Sequence, residues 1–296
     1  MVHSKFTPDP LCYVPINSKL KCEEEWTPVY GTDESDDDDF HHCSPITFHI
    51  TLPTRHHYVK LSFNCQDKSS GVLLPSEPVA LPSADNADNE NMSDPFFFEK
   101  GFYLEAKTGF QPWPGTRLMI EAFTCMKNKR MEYWQTRLAS KDLTILEVGA
   151  GVGIVGACLA AVGGNVLLTD LQVLVEHSIG PNLKRNEHRV NKDNARGKHL
   201  DFFIGSHECS HIEDGWAQAA VLDWYEPIAE QLPHTTSSAF DVIVANMMGV
   251  FIGMEELLER IVQRGWGVEC VAWRTIAVEG DGEQNLHLFE ITPAKS

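Results

Sequence analysis

Glu147, Gly149, Gly151, Gly153 and Asp170 have the types and the spacing needed to hold a nucleoside. A glycine has no Cβ, so the chain can turn sharply there and a ligand can come close to the backbone. An acid about 20 residues beyond such a turn stands where a carboxylate meets ribose hydroxyls. Regular elements must bring these residues together. Leu143, Ile145, Leu146 and Val148 form the short apolar run of a parallel strand buried on both faces. Residues 152–162 are mostly Ala, Val, Ile, Leu and Gly, a helix able to lie flat on a sheet. Val166, Leu167 and Leu168 make a second strand that delivers Asp170. Residues 143–170 therefore read as a nucleotide-binding βαβ unit.

The glycines do not name the ligand. Gly151-Val-Gly153-Ile-Val-Gly156 also satisfies the dinucleotide fingerprint of nicotinamide enzymes, so an NAD-dependent oxidoreductase stays open on spacing alone. Two details favour S-adenosylmethionine. Glu147 stands two residues before the first glycine, where a carboxylate would crowd a pyrophosphate but suits a ligand carrying an ammonium and a sulfonium. The unit also begins mid-chain, whereas a dinucleotide domain often opens its protein, an argument by association.

At 296 residues the chain fits one large domain or two small ones. Its net charge of −18, from 24 Lys and Arg against 42 Asp and Glu, argues against a nucleic-acid groove and points to basic proteins or neutral surfaces as partners. Glu23-Glu-Glu25 and Asp33-Glu-Ser-Asp36-Asp-Asp-Asp39 read as a solvated tail. No apolar run approaches the ~20 residues of a membrane span, and the start, Met1-Val-His-Ser-Lys-Phe, lacks the apolar stretch of a secretory signal. A cytoplasmic or nuclear location without membrane contact is expected. Eight cysteines are scattered singly, as reduced thiols are. His207-Glu-Cys209-Ser-His211 matches no zinc spacing and reads as an exposed polar loop, so no metal is expected.

Three regions follow. Residues 1–43 are acidic and proline-dotted, a mostly disordered leader. Residues 44–99 hold a small accessory β element, with strands at Ile46-Thr-Phe48-His-Ile50 and Tyr58-Val-Lys60-Leu61-Ser62-Phe63 around a hairpin loop, and then a loop from Pro75 to Pro95. Residues 100–296 form the main α/β domain. There Thr116 to Phe123 suits a helix entered through Pro114, and residues 172–190 read as a helix with Gly180-Pro181 as its weak point. Strands are expected at 200–204, 219–224 and 240–245, and an amphipathic helix from Met254 to Arg264, closed by Gly265. Residues 268–273 and 286–291 can close the domain as an antiparallel pair.

From Gly109 to the C-terminus, several segments in order resemble the seven-β-strand, methyltransferase-like family that methylates lysine side chains of non-histone proteins. They are Gly109-Phe-Gln-Pro-Trp113, Leu146-Glu-Val-Gly-Ala-Gly-Val-Gly-Ile-Val-Gly156, Leu168-Thr-Asp170, Asn182-Leu-Lys-Arg-Asn186, Leu222-Asp-Trp224, Asp241-Val-Ile-Val-Ala245 and Leu286-His-Leu-Phe289. The resemblance implies a Rossmann-like sheet, S-adenosylmethionine as cofactor and a protein substrate such as a chaperone or translation factor, for a monomeric enzyme. It places Trp113 beside the cofactor, Gly149, Ala150 and Gly151 with their backbone against it, and Asp170 on the ribose. Trp224 falls on the adenine side, Asp223 within reach of the adenine amino group, and Ala245 at the end of the fourth strand. Trp113 and Trp224 are also large aromatics of the kind that fill cores.

The chain departs from the family after Ala245. Family members continue Asp-x-x-Tyr, which shapes the lysine channel, and this chain has Asn246-Met-Met-Gly249. The helix and fifth strand expected next are missing, since Met254-Glu-Glu-Leu-Leu-Glu-Arg260 already resembles the last helix. Without the fifth strand, the fourth must lie at an open edge or be met by the later strands. No catalytic residue is identified. The reading is an S-adenosylmethionine-dependent protein-lysine methyltransferase, with a non-catalytic binding or scaffold relative as the alternative.

Overall fold

The computed structural model describes residues 13, 21–24, 43–51, 58–66, 109–110, 112–113, 115–124, 129–188, 209–223, 226, 231, 240–245, 254–278 and 282–292. Strands β1 (Lys21–Glu24), β2 (Cys43–Thr51) and β3 (Tyr58–Gln66) form an antiparallel sheet in the order β1-β2-β3. The hairpin of β2 and β3 is the one the alternating residues announce. β1 is not announced: half of it is Glu23 and Glu24, placed in the leader, yet Lys21 lies opposite His49 and Glu24 opposite Ile46.

Two helices follow, α1 (Gly115–Thr124) and α2 (Lys129–Ala139), the second unforeseen because it is charged and buries only Met131 and Leu138. The central α/β unit then runs through β4 (Thr144–Val148), α3 (Ile154–Val162) and β5 (Asn165–Asp170). Every residue of α3 is buried, as its small apolar composition requires of a helix pressed flat on a sheet.

The next helical stretch is one continuous piece in three parts: α4 (Gln172–Leu174), a π-helical segment Val175–Ile179, and α5 (Gly180–Arg185). The expected weak point at Gly180-Pro181 takes the form of a widening. Pro181 has no N–H, and its ring would strike the carbonyl four residues back in a regular helix. The wider turn relieves this, with the Gly180 amide reaching the Val175 carbonyl five residues away. Beyond His188 the predicted helix end and the strand at 200–204 lie outside the described residues.

β6 (Ser210–Ile212), β7 (Gly215–Val221) and β8 (Val242–Ala245) complete a five-stranded sheet ordered β6-β7-β5-β4-β8, parallel except for β6. The polar run around Cys209 is thus corrected: Ser210 to Ile212 is an edge strand with Ser210 and Ile212 buried, since it turns back on β7 as a hairpin. Among the described residues no group of acids, histidines and cysteines is placed to hold a metal, and no helix is long and apolar enough to cross a membrane.

Helix α6 (Met254–Gln263) leads into β9 (Gly267–Val278) and β10 (Gly282–Thr292), an antiparallel pair with a bulge at Leu288 and Phe289. This pair forms its own two-stranded sheet and does not move over to β8, which among the described residues pairs with β4 alone. β8 is an edge strand, with Ile243 65% exposed. The hairpin packs instead on α1 and α2, through Leu118, Ala122, Met131, Val271 and Ala272. A buried ion pair, Arg274 to Glu121, adds to that contact, and Arg117 reaches the same carboxylate at 2.9 Å.

The main core is continuous across the N-terminal sheet and the central unit. Ile46, Phe48, Leu61 and Phe63 share it with Val155, Leu159, Val166 and Leu168.

Candidate functional site

Parallel strands of one sheet end on the same side, so the sheet gathers at one edge residues that are far apart in sequence. The carboxyl ends of β4, β5, β7 and β8 carry the glycine turn, Asp170, Asp223 and Ala245 in that way. Val148 lies opposite Thr169 on one side and Ala245 on the other. Asp170 lies opposite Val221, and its carbonyl accepts the Leu222 N–H at 2.9 Å. β5 and β8 flank β4 from opposite sides, so the chain reverses direction across the sheet at β4. Open α/β sheets bind their ligands in the crevice at such a reversal.

The turn is built from backbone and one carboxylate. Gly149, Gly151 and Gly153 adopt φ of 68°, 56° and 81°, which side-chain-bearing residues rarely do. At Gly151 the need is also steric, because a Cβ there would stand 2.8 Å from the Gly109 carbonyl oxygen. The Gly109-Phe-Gln-Pro-Trp113 segment therefore lies directly on the turn. Trp113, half-buried, follows in that segment, and its carbonyl accepts the Thr116 N–H at the start of α1. Ala150 donates to the Thr169 carbonyl at 3.0 Å, and Gly153 to the Ala150 carbonyl at 2.8 Å.

Asp170 braces the turn. One carboxyl oxygen accepts the Gly151 N–H at 2.7 Å and the other the Leu171 N–H at 2.8 Å. Burial raises its pKa, and those two amides oppose the shift. A carboxylate has about four lone-pair sites, so each oxygen keeps capacity for a ligand hydroxyl.

Glu147 reaches the turn from beneath. It is 2% exposed, its carboxyl faces Gly156 of α3 and Leu168 of β5, and Oε2 has no hydrogen-bond partner among the described residues. Burial pushes its pKa to about 8, against a pull downward from the Gly156 amide and a further rise from Asp170. The group is therefore neutral at pH 7. Its folded value lies above the ordinary 4.5, so the native state holds more protons than the unfolded chain between those values. Stability from this group is full below about pH 4.5, falls as pH rises through about 8, and is constant above. Glu147→Gln is expected to shrink the loss of melting temperature between pH 5 and pH 8.5. The change should be at least about 3 °C, the effect of roughly 1 kcal/mol on a domain of this size; calorimetry at the two pH values checks it.

Asp223 arrives just past β7, and a residue not foreseen holds it. The Gln231 side chain accepts the Asp223 N–H at 2.6 Å and donates to the Asp223 carbonyl at 2.7 Å and the Glu226 carbonyl at 3.0 Å. No local pattern marks Gln231. Trp224 and Asn246 to Gly249 lie outside the described residues, as do His207 and Glu208. The structure thus brings Glu147, Gly149, Ala150, Gly151, Gly153 and Asp170 together with the Gly109 segment, and places Asp223 and Ala245 on the same sheet edge.

Residues 104–204 match a family model described as lysine methyltransferase. No curated protein matches the chain. The family match covers the Gly109 segment, the βαβ unit and the Asn182-Leu-Lys-Arg-Asn186 helix, and it bears out the resemblance read from those residues.

Proposed function

We propose that this chain, whose residues 104–204 match the lysine methyltransferase family model, binds S-adenosylmethionine and transfers its methyl group to a lysine side chain of a non-histone protein. The observation that carries the reading is Asp170, at the end of β5, with one carboxyl oxygen on the Gly151 amide of the glycine turn, the other on the Leu171 amide, and lone pairs to spare for a ribose. The residues present fit such a cofactor. The Gly109 segment and Gly151 approach too closely to admit a side chain between them, and one carboxyl oxygen of Glu147, Oε2, has no partner among the described residues. Trp113, Asp223, Trp224 and Ala245 complete the set, in the seven-strand order less its fifth strand.

When bound, the cofactor supplies an electrophilic methyl carbon. The chain's own work is to hold that carbon in line with an amine and to exclude water. A free lysine has a pKa of about 10.4, so the site must also favour the neutral amine, through apolar surroundings or a base. A protein substrate met in the cytoplasm or nucleus suits an acidic chain, since a lysine-bearing surface is complementary to its charge.

A second reading is a methyltransferase fold that acts by binding alone. Asn246 and Gly249 favour it, standing where the family that the chain resembles carries an acid and an aromatic, together with β8, which among the described residues pairs with β4 alone. Incubating the chain with lysate and methyl-labelled S-adenosylmethionine separates the two. Transfer of label to a protein, lost in Asp170→Ala, is the expected result; cofactor binding without transfer would leave only the second reading.

A further inference from the structure

Among the described residues the outer edge of β3 has no strand beside it. It is paired with a helix. Asn182 of α5 and Asn186, the residue that ends this helix four positions on, point their side-chain amides at it as a strand would its backbone. The Ser62 N–H donates to Asn186 Oδ1 at 2.8 Å, and Asn186 Nδ2 returns a bond to the Ser62 carbonyl at 2.9 Å. The Asn64 N–H donates to Asn182 Oδ1 at 2.8 Å, and Asn182 Nδ2 returns one to the Asn64 carbonyl at 3.1 Å. The spacing explains why the match works. Four residues of helix rise about 6 Å, and two residues of strand about 6.8 Å.

The two asparagines differ in where the second amide hydrogen goes. In Asn186 it goes to the Asn182 carbonyl, within its own helix, at 2.8 Å. In Asn182 it goes to the Val152 carbonyl of the glycine turn at 3.0 Å. That carbonyl shares a planar peptide with the Gly153 N–H, which donates to the Ala150 carbonyl. Asn182 is 2% exposed, so water cannot take over its bonds. One side chain thus fixes the orientation of a peptide in the cofactor turn and the docking of the N-terminal sheet together.

We infer that Asn182 is a positioning residue through which the docked N-terminal sheet holds the glycine turn in its ligand-binding form. The inference rests on the cofactor reading for its consequence in binding, but its structural half is testable without ligand. Losing Asn186 undocks the Ser62 end of the sheet and leaves the turn peptide held. Losing Asn182 releases both.

Hydrogen exchange of the full chain, followed residue by residue, tests this with Asn182→Ala and Asn186→Ala side by side. The Gly153 amide is expected to exchange at least about tenfold faster in Asn182→Ala and within about twofold of the parent in Asn186→Ala, while each variant loses protection at its own β3 partner. Titrated with S-adenosylhomocysteine, Asn182→Ala should bind at least about tenfold more weakly and Asn186→Ala nearly as the parent. Equal effects of both variants on Gly153, or none, would overturn the inference. If Asn182→Ala does not fold, the parent chain decides: coupling between sites is reciprocal, so S-adenosylhomocysteine must slow exchange of the Asn64 amide, and an unchanged rate at Asn64 with Gly153 protected would overturn it. A parent that binds no S-adenosylhomocysteine would sink the cofactor reading, and the Gly153 exchange rates of the ligand-free variants would still decide the role of Asn182.

Discussion

Asp170→Ala is expected to weaken binding of S-adenosylhomocysteine by at least about 100-fold. The residue does two jobs with one carboxyl: it accepts the Gly151 and Leu171 amides, and it offers the remaining lone pairs to a ribose. Hydrogen bonds to a charged group are each worth roughly 1.5–3 kcal/mol, and alanine removes both while orphaning two amides at the turn. A loss of about 2.7 kcal/mol already amounts to 100-fold. Asp170→Asn retains one acceptor oxygen and can serve only one of the two amides, so its affinity should fall between those of the parent and the alanine variant. Calorimetric titration of the three proteins, each first shown to melt cooperatively, measures the series. An alanine variant that binds within about threefold of the parent would mean that Asp170 shapes the turn but faces no ligand.

The largest stability effect is expected far from the turn, at Arg274. Its guanidinium is 2% exposed, and it pairs with Glu121 of α1, itself 0% exposed. Among the described residues the β9–β10 hairpin has no ladder to the central sheet, so side chains attach it: this pair, the Arg130 to Glu290 pair, and the small apolar cluster of Leu118, Ala122, Met131, Val271 and Ala272. Removing Arg274 takes from Glu121 its buried partner and leaves it the partly exposed Arg117, and breaking a buried pair costs about 3–5 kcal/mol. Arg274→Met should therefore lower the melting temperature by roughly 6–20 °C for a domain of this size. Adding Glu121→Leu removes the buried carboxylate, leaves the partly exposed Arg117 to water, and should recover more than half of the loss, as apolar replacements of buried pairs often do. Differential scanning calorimetry of the single and double variants checks both. A single variant within about 1 kcal/mol of the parent would contradict the argument.

The parts of the fold that were legible share a local physical cause. The βαβ unit announces itself because apolar strands, turn glycines and a small-residue helix each carry their own signal within a few residues. Long-range features carry none. β1 exists because Lys21–Glu24 finds the edge of β2, a partner its charged composition does not suggest. α2 is mostly polar, and only Met131 and Leu138 face inward. The weak point at Gly180-Pro181 was legible but not its π-helical form, because a proline inside a packed helix can be met by widening as well as by stopping.

The candidate site divides in the same way. The glycines and Asp170 follow from spacing, and Glu147 from its place at the strand end, two residues before the first glycine. That its carboxyl is buried under α3 is a matter of which strand face it occupies, shared with Ile145, and of Gly156 having no side chain there. Asn182 and Asn186 gave a weak hint, two poor helix formers at a four-residue interval. Gln231 gave none, because its partner is backbone eight residues away. The closing hairpin was legible as a pair, but its place beside α1 in place of β8 depends on Arg274 finding Glu121 across more than half the chain.

The central claim is that the carboxyl edge of this sheet holds S-adenosylmethionine and not a dinucleotide. The most direct test is isothermal titration of the purified 296-residue chain with S-adenosylhomocysteine and, in parallel, with NAD. Saturable one-to-one binding of S-adenosylhomocysteine with no heat from NAD is the predicted result. Binding of NAD, or of neither by a chain that melts cooperatively, would contradict the claim.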